Sequence, residues 1–465
     1  MQWREIAAPG YREPLAAACL GVWLHAADSL LISTMMPAIV SDIGGVALIP
    51  WTFALYEIGT IVVGAASGLL SMRFGIRKPM ALAGALFALG CVISAVAAQM
   101  EVLLAGRILQ GFGGGGLMAL SFVVAGSRFP KRLAGRVMGA ISTIWAVSAF
   151  MGPLVGGLFV EFAFWRGGFL FFAAQALVLA VWMALSKDPG ETPPVADTGE
   201  RIPVKRLGWL TAGVVLVAYG GIEVSILSTT AFVVSGLLCL VMFVRLEARH
   251  EGSRMLPRQP FSLKDPVGAA MLMVLCFAAA TTAVTVYVPF LITGLHGVSV
   301  LVAGYIIALE SIAWTVAALL ISGQPQHRDR IFIILGMAIV TVGIAGLIYA
   351  VPQGPIWLIA VCACLQGFGF GLAWTFVLRQ ATTIAPAEET QRVSSALPTV
   401  HRLGYGLGAA FMGIVANAAG IEGGPGPMKF AAAALFVASM PVAFLGLIAA
   451  VRFVGGGNGA RSTVH

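Results

Sequence analysis

Charge is scarce in this sequence. Acidic and basic residues make up 10% of its 465 residues against 59% hydrophobic ones, and the mean hydropathy is +0.94. A water-soluble chain of this length has no interior large enough for that much apolar surface, so its solvent is lipid. Polar stretches are short too, none much beyond roughly twenty residues, which leaves no room for a soluble domain. Cysteine is sparse: Cys19, Cys91, Cys239, Cys276, Cys362 and Cys364 all fall inside apolar runs. Cys362 and Cys364 are two apart, so on a helix they point to different sides and cannot share one metal ion; all six read as small packing residues. The six histidines are scattered, with no pair at helical i, i+4 spacing. No phosphate-binding Gly-rich loop, metal-spaced His/Cys cluster or nucleophile elbow is present. These absences argue against an enzyme and against a bound metal or cofactor. Without a nucleotide site, uphill transport would draw on an ion gradient.

What the chain has in abundance is apolar runs of about twenty residues, the length a helix needs to cross ~30 Å of hydrocarbon. They are continuous rather than alternating, which excludes a membrane β-barrel. Fourteen spans are expected, at 15–37, 50–72, 79–98, 102–126, 134–160, 167–186, 207–224, 229–246, 267–292, 299–322, 331–350, 355–378, 394–418 and 430–451. The first is long enough to act as its own insertion signal, and no cleavable leader is expected. Twenty-four of the 28 Lys and Arg, among them Arg4, Lys187, Arg201 and Arg461, fall in the termini and in one alternate set of loops. The opposite loops hold only Arg166 and Lys429, so both termini are expected on the cytoplasmic side. The net charge of +8 is therefore a topology signal rather than a nucleic-acid footprint.

The pentapeptide LQGFG occurs at 109–113 and again at 365–369, an offset of 256. At that offset Pro130 falls on Pro386, Arg136-Val137 on Arg392-Val393, Thr143 on Thr399, Gly152 on Gly408 and Gly157 on Gly413. With small loop-length changes Pro37 pairs with Pro289 and Glu57 with Glu310. The chain thus reads as an all-α membrane protein of two parallel six-helix halves, 1–186 and 266–465. Linker segments and two extra central transmembrane helices occupy 187–265. The extra pair is expected to pack peripherally. Parallel six-helix halves are the build of transporters that rock about a central site. Residues shared by both halves are expected to serve the scaffold, and residues present in one half, such as Arg107, to carry function.

Four motifs resemble the major facilitator superfamily, and within it the fourteen-span drug:proton antiporter branch. GLLSMRFGIRK at 68–78 is similar to the loop motif between the second and third helices, carried by Gly68, Arg73, Gly75, Arg77 and Lys78. LAGRILQGFG at 104–113 is similar to the fourth-helix motif with its membrane Arg107. Gly152, Pro153, Gly156 and Gly157 in MGPLVGG resemble the antiporter motif of the fifth helix, and His25-Ala-Ala-Asp28 through Met36-Pro37 resembles that branch's first-helix motif. Met72 stands where the loop motif has Asp, and Ser148 where the fifth-helix motif often has Gly. The resemblance implies export by proton antiport, with the loop and fifth-helix residues in conformational switching.

A charge inside hydrocarbon costs ~2.5–3.5 kcal/mol on insertion scales, so intramembrane ionisable groups are functional candidates. At ~1.5 Å per residue, Asp28, Glu57 and Arg107 fall in one layer of the first half. Asp28–Arg107 reads either as a self-neutralising structural pair or as a site whose carboxylate takes up a proton, desolvation and the guanidinium together setting where it titrates. Glu57 is either a second proton site or a gate. Glu310 sits near mid-depth and either receives a cationic substrate or bonds a neighbouring helix. His401-Arg402 read as a packing or gating pair. His25, Trp145, Trp314 and Trp374 are candidates to line an apolar pocket. The expected function is proton-coupled export of amphiphilic, cationic small molecules across a bacterial inner membrane by a monomer, the alternative being export of lipids or lipid-like amphiphiles.

Overall fold

In the computed structural model the described residues run from 5 to 455, omitting 7, 163, 187–201, 250–253, 322 and 387. Arg4, Lys187, Arg201 and Arg461, used above for orientation, and most of the linker 187–206 lie outside the described residues. Among the described residues there are fourteen α-helices and no strand. A chain in hydrocarbon must satisfy every backbone N–H and C=O within itself, and helices do so segment by segment.

Two compact units divide the chain. The first takes residues 1–45 and 55–204; the second takes 46–54 and 205–465. In the first lie α1 (Pro9–Ile43), most of α2 (Ile49–Phe74), α3 (Arg77–Ala95), α4 (Met100–Ser127), α5 (Ala134–Phe162) and α6 (Trp165–Leu185). The α2–α3 turn needs a left-handed residue, and Gly75 of the loop motif supplies it at φ +75°. Its neighbour Met72 is 40% exposed. The second unit holds α7 (Val204–Tyr219), α8 (Ile226–Arg249), α9 (Pro266–His296), α10 (Val300–Ile321), α11 (Asp329–Gln353), α12 (Ile356–Ile384), α13 (Thr390–Ala418) and α14 (Pro425–Gly455). α9 starts at a sequence-legible signal: Asp265 accepts a hydrogen bond from the Gly268 N–H at 2.7 Å, with Pro266 as the first helical residue.

Among the described residues twelve spans are long and apolar enough to cross a bilayer. The two remaining helices are α7, which stops after 16 residues at Gly220-Gly221, and α13, whose 29 residues include Arg392, His401 and Arg402. The expected seventh span therefore ends five residues early, at Tyr219 rather than 224.

The repeat is visible in which helices touch. In the first unit α3 packs on α4 and α6, and α1 packs on α4 and α5. In the second α11 packs on α12 and α14, and α9 packs on α13. Glycines mark equivalent crossings: a Cβ on Gly152 would lie 3.0 Å from Ala27 O, and one on Gly408 would lie 2.8 Å from Ala279 O. This sets Ala279 opposite Ala27, and hence Ala280 opposite Asp28 and Phe277 opposite His25.

Candidate functional site

The site in the first unit grows from the glycine run of α4. A Cβ on Gly111 would collide with the backbone carbonyl of Tyr56, and one on Gly114 would lie 2.6 Å from the Tyr56 hydroxyl and 3.2 Å from His25 Nδ1. Bare backbone there lets α1 and α2 bring large polar side chains against α4. Arg107, one turn earlier on α4, donates from one terminal nitrogen to Asp28 Oδ2 at 2.6 Å; both side chains are fully buried. The same nitrogen donates to Oε1 of Gln110, and Gln110 Nε2 donates to Ser94 Oγ at 3.2 Å. The guanidinium lies over the Tyr56 ring, 4.4 Å from its centroid, while the Tyr56 hydroxyl and His25 Nδ1 are 2.9 Å apart. His25 meets the edge of Trp145 at 6.0 Å.

Sequence depth therefore found a contact: Asp28 and Arg107 meet as a buried pair. The other Asp28 oxygen, Oδ1, has no hydrogen-bond partner among the described residues. Glu57, also buried, is the residue after Tyr56 on α2. The fifth-helix motif lies directly on the helix that carries the acid. A Cβ on Gly152 would touch Ala27 and Leu30, and one on Gly156 would lie 3.2 Å from Leu31 O. Pro153 and Gly157 are buried beside them. In the loop motif, Arg77 donates to the carbonyl of Met183 at 3.2 Å. Gly68 has open space around its Cβ position, and Arg73 and Lys78 are exposed.

The second unit builds something different on the same crossings. Gly111 sits on Tyr56 and Gly115 on Thr60; in the repeat Gly367 sits on Glu310 and Gly371 on Trp314. Glu310 is thus the counterpart of Tyr56, which corrects the sequence pairing of Glu310 with Glu57 by one residue, about 100° of helix rotation. Ala280 and Ala363 replace Asp28 and Arg107, so this half has no charge pair at the crossing. Glu310 is half-buried and makes no hydrogen bond or ion pair among the described residues. Around it the half is aromatic. Phe277 and Phe370 stack at 3.9 Å, Phe370 and His401 at 5.3 Å, and Trp314 meets Phe370 edge-on at 4.3 Å. Trp374 lies 5.2 Å from His401. His401 joins this cluster, and Arg402, the next residue, is half-buried as His401 is.

Tyr56, Gln110 and Ser94 escaped the sequence reading, as did Phe277, Phe370 and Tyr405. Gln110 had a usable signal, since it lies three residues after Arg107 and so shares its helix face. Its repeat at Gln366 puts it among the residues shared by both halves, which are expected to serve the scaffold.

A fourteen-helix chain of two matching helical halves, with an ion pair sealed inside one of them, is a polytopic membrane transporter. The family model of the Major Facilitator Superfamily matches residues 18–409, and the chain belongs to that family. A protein of Mycobacterium tuberculosis described as a probable multidrug-efflux transporter is 28% identical over 443 residues, covering 93% of this chain and 92% of its own. A multidrug efflux pump of Staphylococcus aureus is 26% identical, covering 85% of this chain and 88% of its own. The fold resembles a solved bacterial homologue of the human lysosomal transporter Spinster, with a TM-score of 0.68, 16% identity and coverage of 96% and 98%. It also resembles a D-xylose–proton symporter, with a TM-score of 0.61, 16% identity and coverage of 92% and 96%.

Proposed function

We propose that this chain is a proton-coupled antiporter that exports amphiphilic, cationic small molecules by alternating access. The observation that carries the reading is the sealed Asp28–Arg107 pair, present in one repeat and replaced by alanines in the other. A purely structural pair would suit either half; a coupling site is needed once. Breaking a buried pair from one side leaves an uncompensated charge, a penalty of about 3–5 kcal/mol. Protonating Asp28 removes its charge and releases Arg107, so the two protonation states favour different conformations of the bundle. Glu57 serves as a second proton site or as a gate, and Gly152, Pro153, Gly156 and Gly157 form the surface on which α1 adjusts. Glu310, with no hydrogen-bond or ion-pair partner among the described residues, receives the substrate's positive charge.

The multidrug-efflux descriptions of the relatives support export of drug-like molecules, and neither of those two relatives is described as a lipid exporter. We place the protein in a bacterial inner membrane with both termini cytoplasmic, acting as a monomer. Everted vesicles holding a preformed proton gradient, challenged with a panel of cationic and neutral dyes while internal pH is recorded, test this. At least one cationic dye is expected to release protons in vesicles containing the protein and not in empty ones. Failure of every compound to do so contradicts antiport.

A further inference from the structure

The repeat treats its imidazole in two ways. At the crossing of the first and fifth helices of each half stand one histidine and one aromatic ring, but on exchanged helices. The first unit has His25 on α1 facing Trp145 on α5, and the second has Phe277 on α9 facing His401 on α13, their centroids 6.4 Å apart. In the first unit the imidazole is committed, its Nδ1 held 2.9 Å from the Tyr56 hydroxyl. In the second the counterpart of that hydroxyl is gone, because Glu310 occupies the place of Tyr56. His401 Nε2 is buried and has no hydrogen-bond partner among the described residues. A buried polar atom left unsatisfied is destabilising and calls for a reason. Four positions that are Thr60, Gly114, Met118 and Ala149 in the first half have become Trp314, Phe370, Trp374 and Tyr405. The rings form a continuous wall: His401 lies parallel to Phe370 within 11° and edge-on to Tyr405 at 4.8 Å. Trp314, Trp374, His401 and Tyr405 each keep part of their surface accessible, and Glu310 lies one helical turn before Trp314 on the same face of α10.

We infer that His401 is a specificity-determining residue of a substrate subsite in the second unit, which takes planar aromatic cations carrying an N–H group at the ring edge. The inference rests on the small-molecule transport reading above. The aromatic wall supplies stacking area and cation–π attraction, Glu310 supplies counter-charge, and neither discriminates among flat cations. The buried, unsatisfied Nε2 does, because a site built around a hydrogen-bonding atom rejects ligands that leave it unpaired. His401→Phe keeps an aromatic ring in the stack and removes its hydrogen-bonding nitrogens.

The test uses the purified full chain and two cations that differ only in two ring amines: ethidium and 5-ethyl-6-phenylphenanthridinium. By equilibrium dialysis the wild-type protein is expected to bind ethidium about tenfold more tightly, the scale of one buried hydrogen bond. His401→Phe is expected to weaken ethidium about tenfold and leave the deaminated cation within about twofold, which also reports that the fold is intact. His401→Gln, which keeps a polar side chain, is expected to restore part of the preference. Equal wild-type affinity for the two cations overturns the inference without any variant. So does an equal loss of both cations in His401→Phe, or no binding of either to the wild type. The same cations in proteoliposomes separate this from the efflux reading. Binding with the expected preference but no transport leaves the inference standing and sinks efflux. Transport of both with no effect of His401→Phe on their ratio does the reverse.

Discussion

At the scale of single residues, the two copies of LQGFG hold the same glutamine in opposite circumstances. Gln110 accepts from Arg107 and donates to Ser94, so it fixes the guanidinium that faces Asp28. Gln366 is equally buried, yet neither its Oε1 nor its Nε2 has a partner among the described residues, because its arginine has become Ala363. Removing one partner of a buried hydrogen bond costs about 1–3 kcal/mol, whereas replacing an already unsatisfied amide by a similar apolar shape is neutral or stabilising. Gln110→Leu is therefore expected to lower both melting temperature and transport, and Gln366→Leu to leave transport intact and raise the melting temperature or hold it. Thermal melts in detergent beside vesicle transport assays decide this; equal destabilisation by the two variants contradicts it. The pair Asp28–Arg107 was legible in the sequence because charge at depth in an apolar run is conspicuous. Tyr56 and Ser94 were not, since neutral hydrogen-bonding residues are common in membrane helices and announce nothing, and Gln110 was marked only by its spacing from Arg107. Glu310 was placed opposite Glu57 because a one-residue slip is invisible in sequence, although it turns a side chain by about 100°.

At the scale of elements, the helices follow from their apolar runs: each expected span meets one observed helix with ends within six residues, most helices running longer than expected and α7 stopping short at Gly220-Gly221. The extra hairpin α7–α8 is less loosely held than an insertion suggests. Its two helices meet through glycines, a Cβ on Gly236 lying 2.7 Å from Gly213 O. At one end Asn417 of α13 donates to Gly221 O at 2.6 Å. At the other, Arg206 and Glu247 form a buried pair at 2.6 Å, and the second Glu247 oxygen accepts from the N–H groups of Met255 and Leu256 at 2.7 and 3.3 Å. Arg254, which precedes them, lies 3.7 Å from Glu389, and its carbonyl accepts from Arg392 at 3.2 Å. The hairpin is thus tied to both ends of α13, while α8 itself buries only Gly236, Phe243 and Glu247. Glu247→Leu alone strands Arg206 and is expected to destabilise by about 3–5 kcal/mol, while Arg206→Met with Glu247→Leu recovers most of that. Denaturant melts of the two variants check it, and a double variant no better than the single one would show that the pair's charge is not the issue.

At the scale of the whole molecule, the repeat and the class of protein were readable from composition and one pentapeptide, since bilayer thickness and backbone hydrogen bonding leave few alternatives. The division of labour between halves was only partly readable. That Arg107 lacks a counterpart was plain, but the aromatic wall required knowing which turns of α9, α10, α12 and α13 face one another. The central claim is that one half carries the proton and does so on Asp28. Asp28→Asn keeps size and hydrogen bonding but cannot titrate. Proteoliposomes with an imposed pH gradient should show uphill substrate accumulation by the wild type. Asp28→Asn should show none, while still exchanging substrate downhill. Uphill accumulation by Asp28→Asn at the wild-type rate, with unchanged pH dependence, would contradict the account and pass the proton to Glu57 or Glu310.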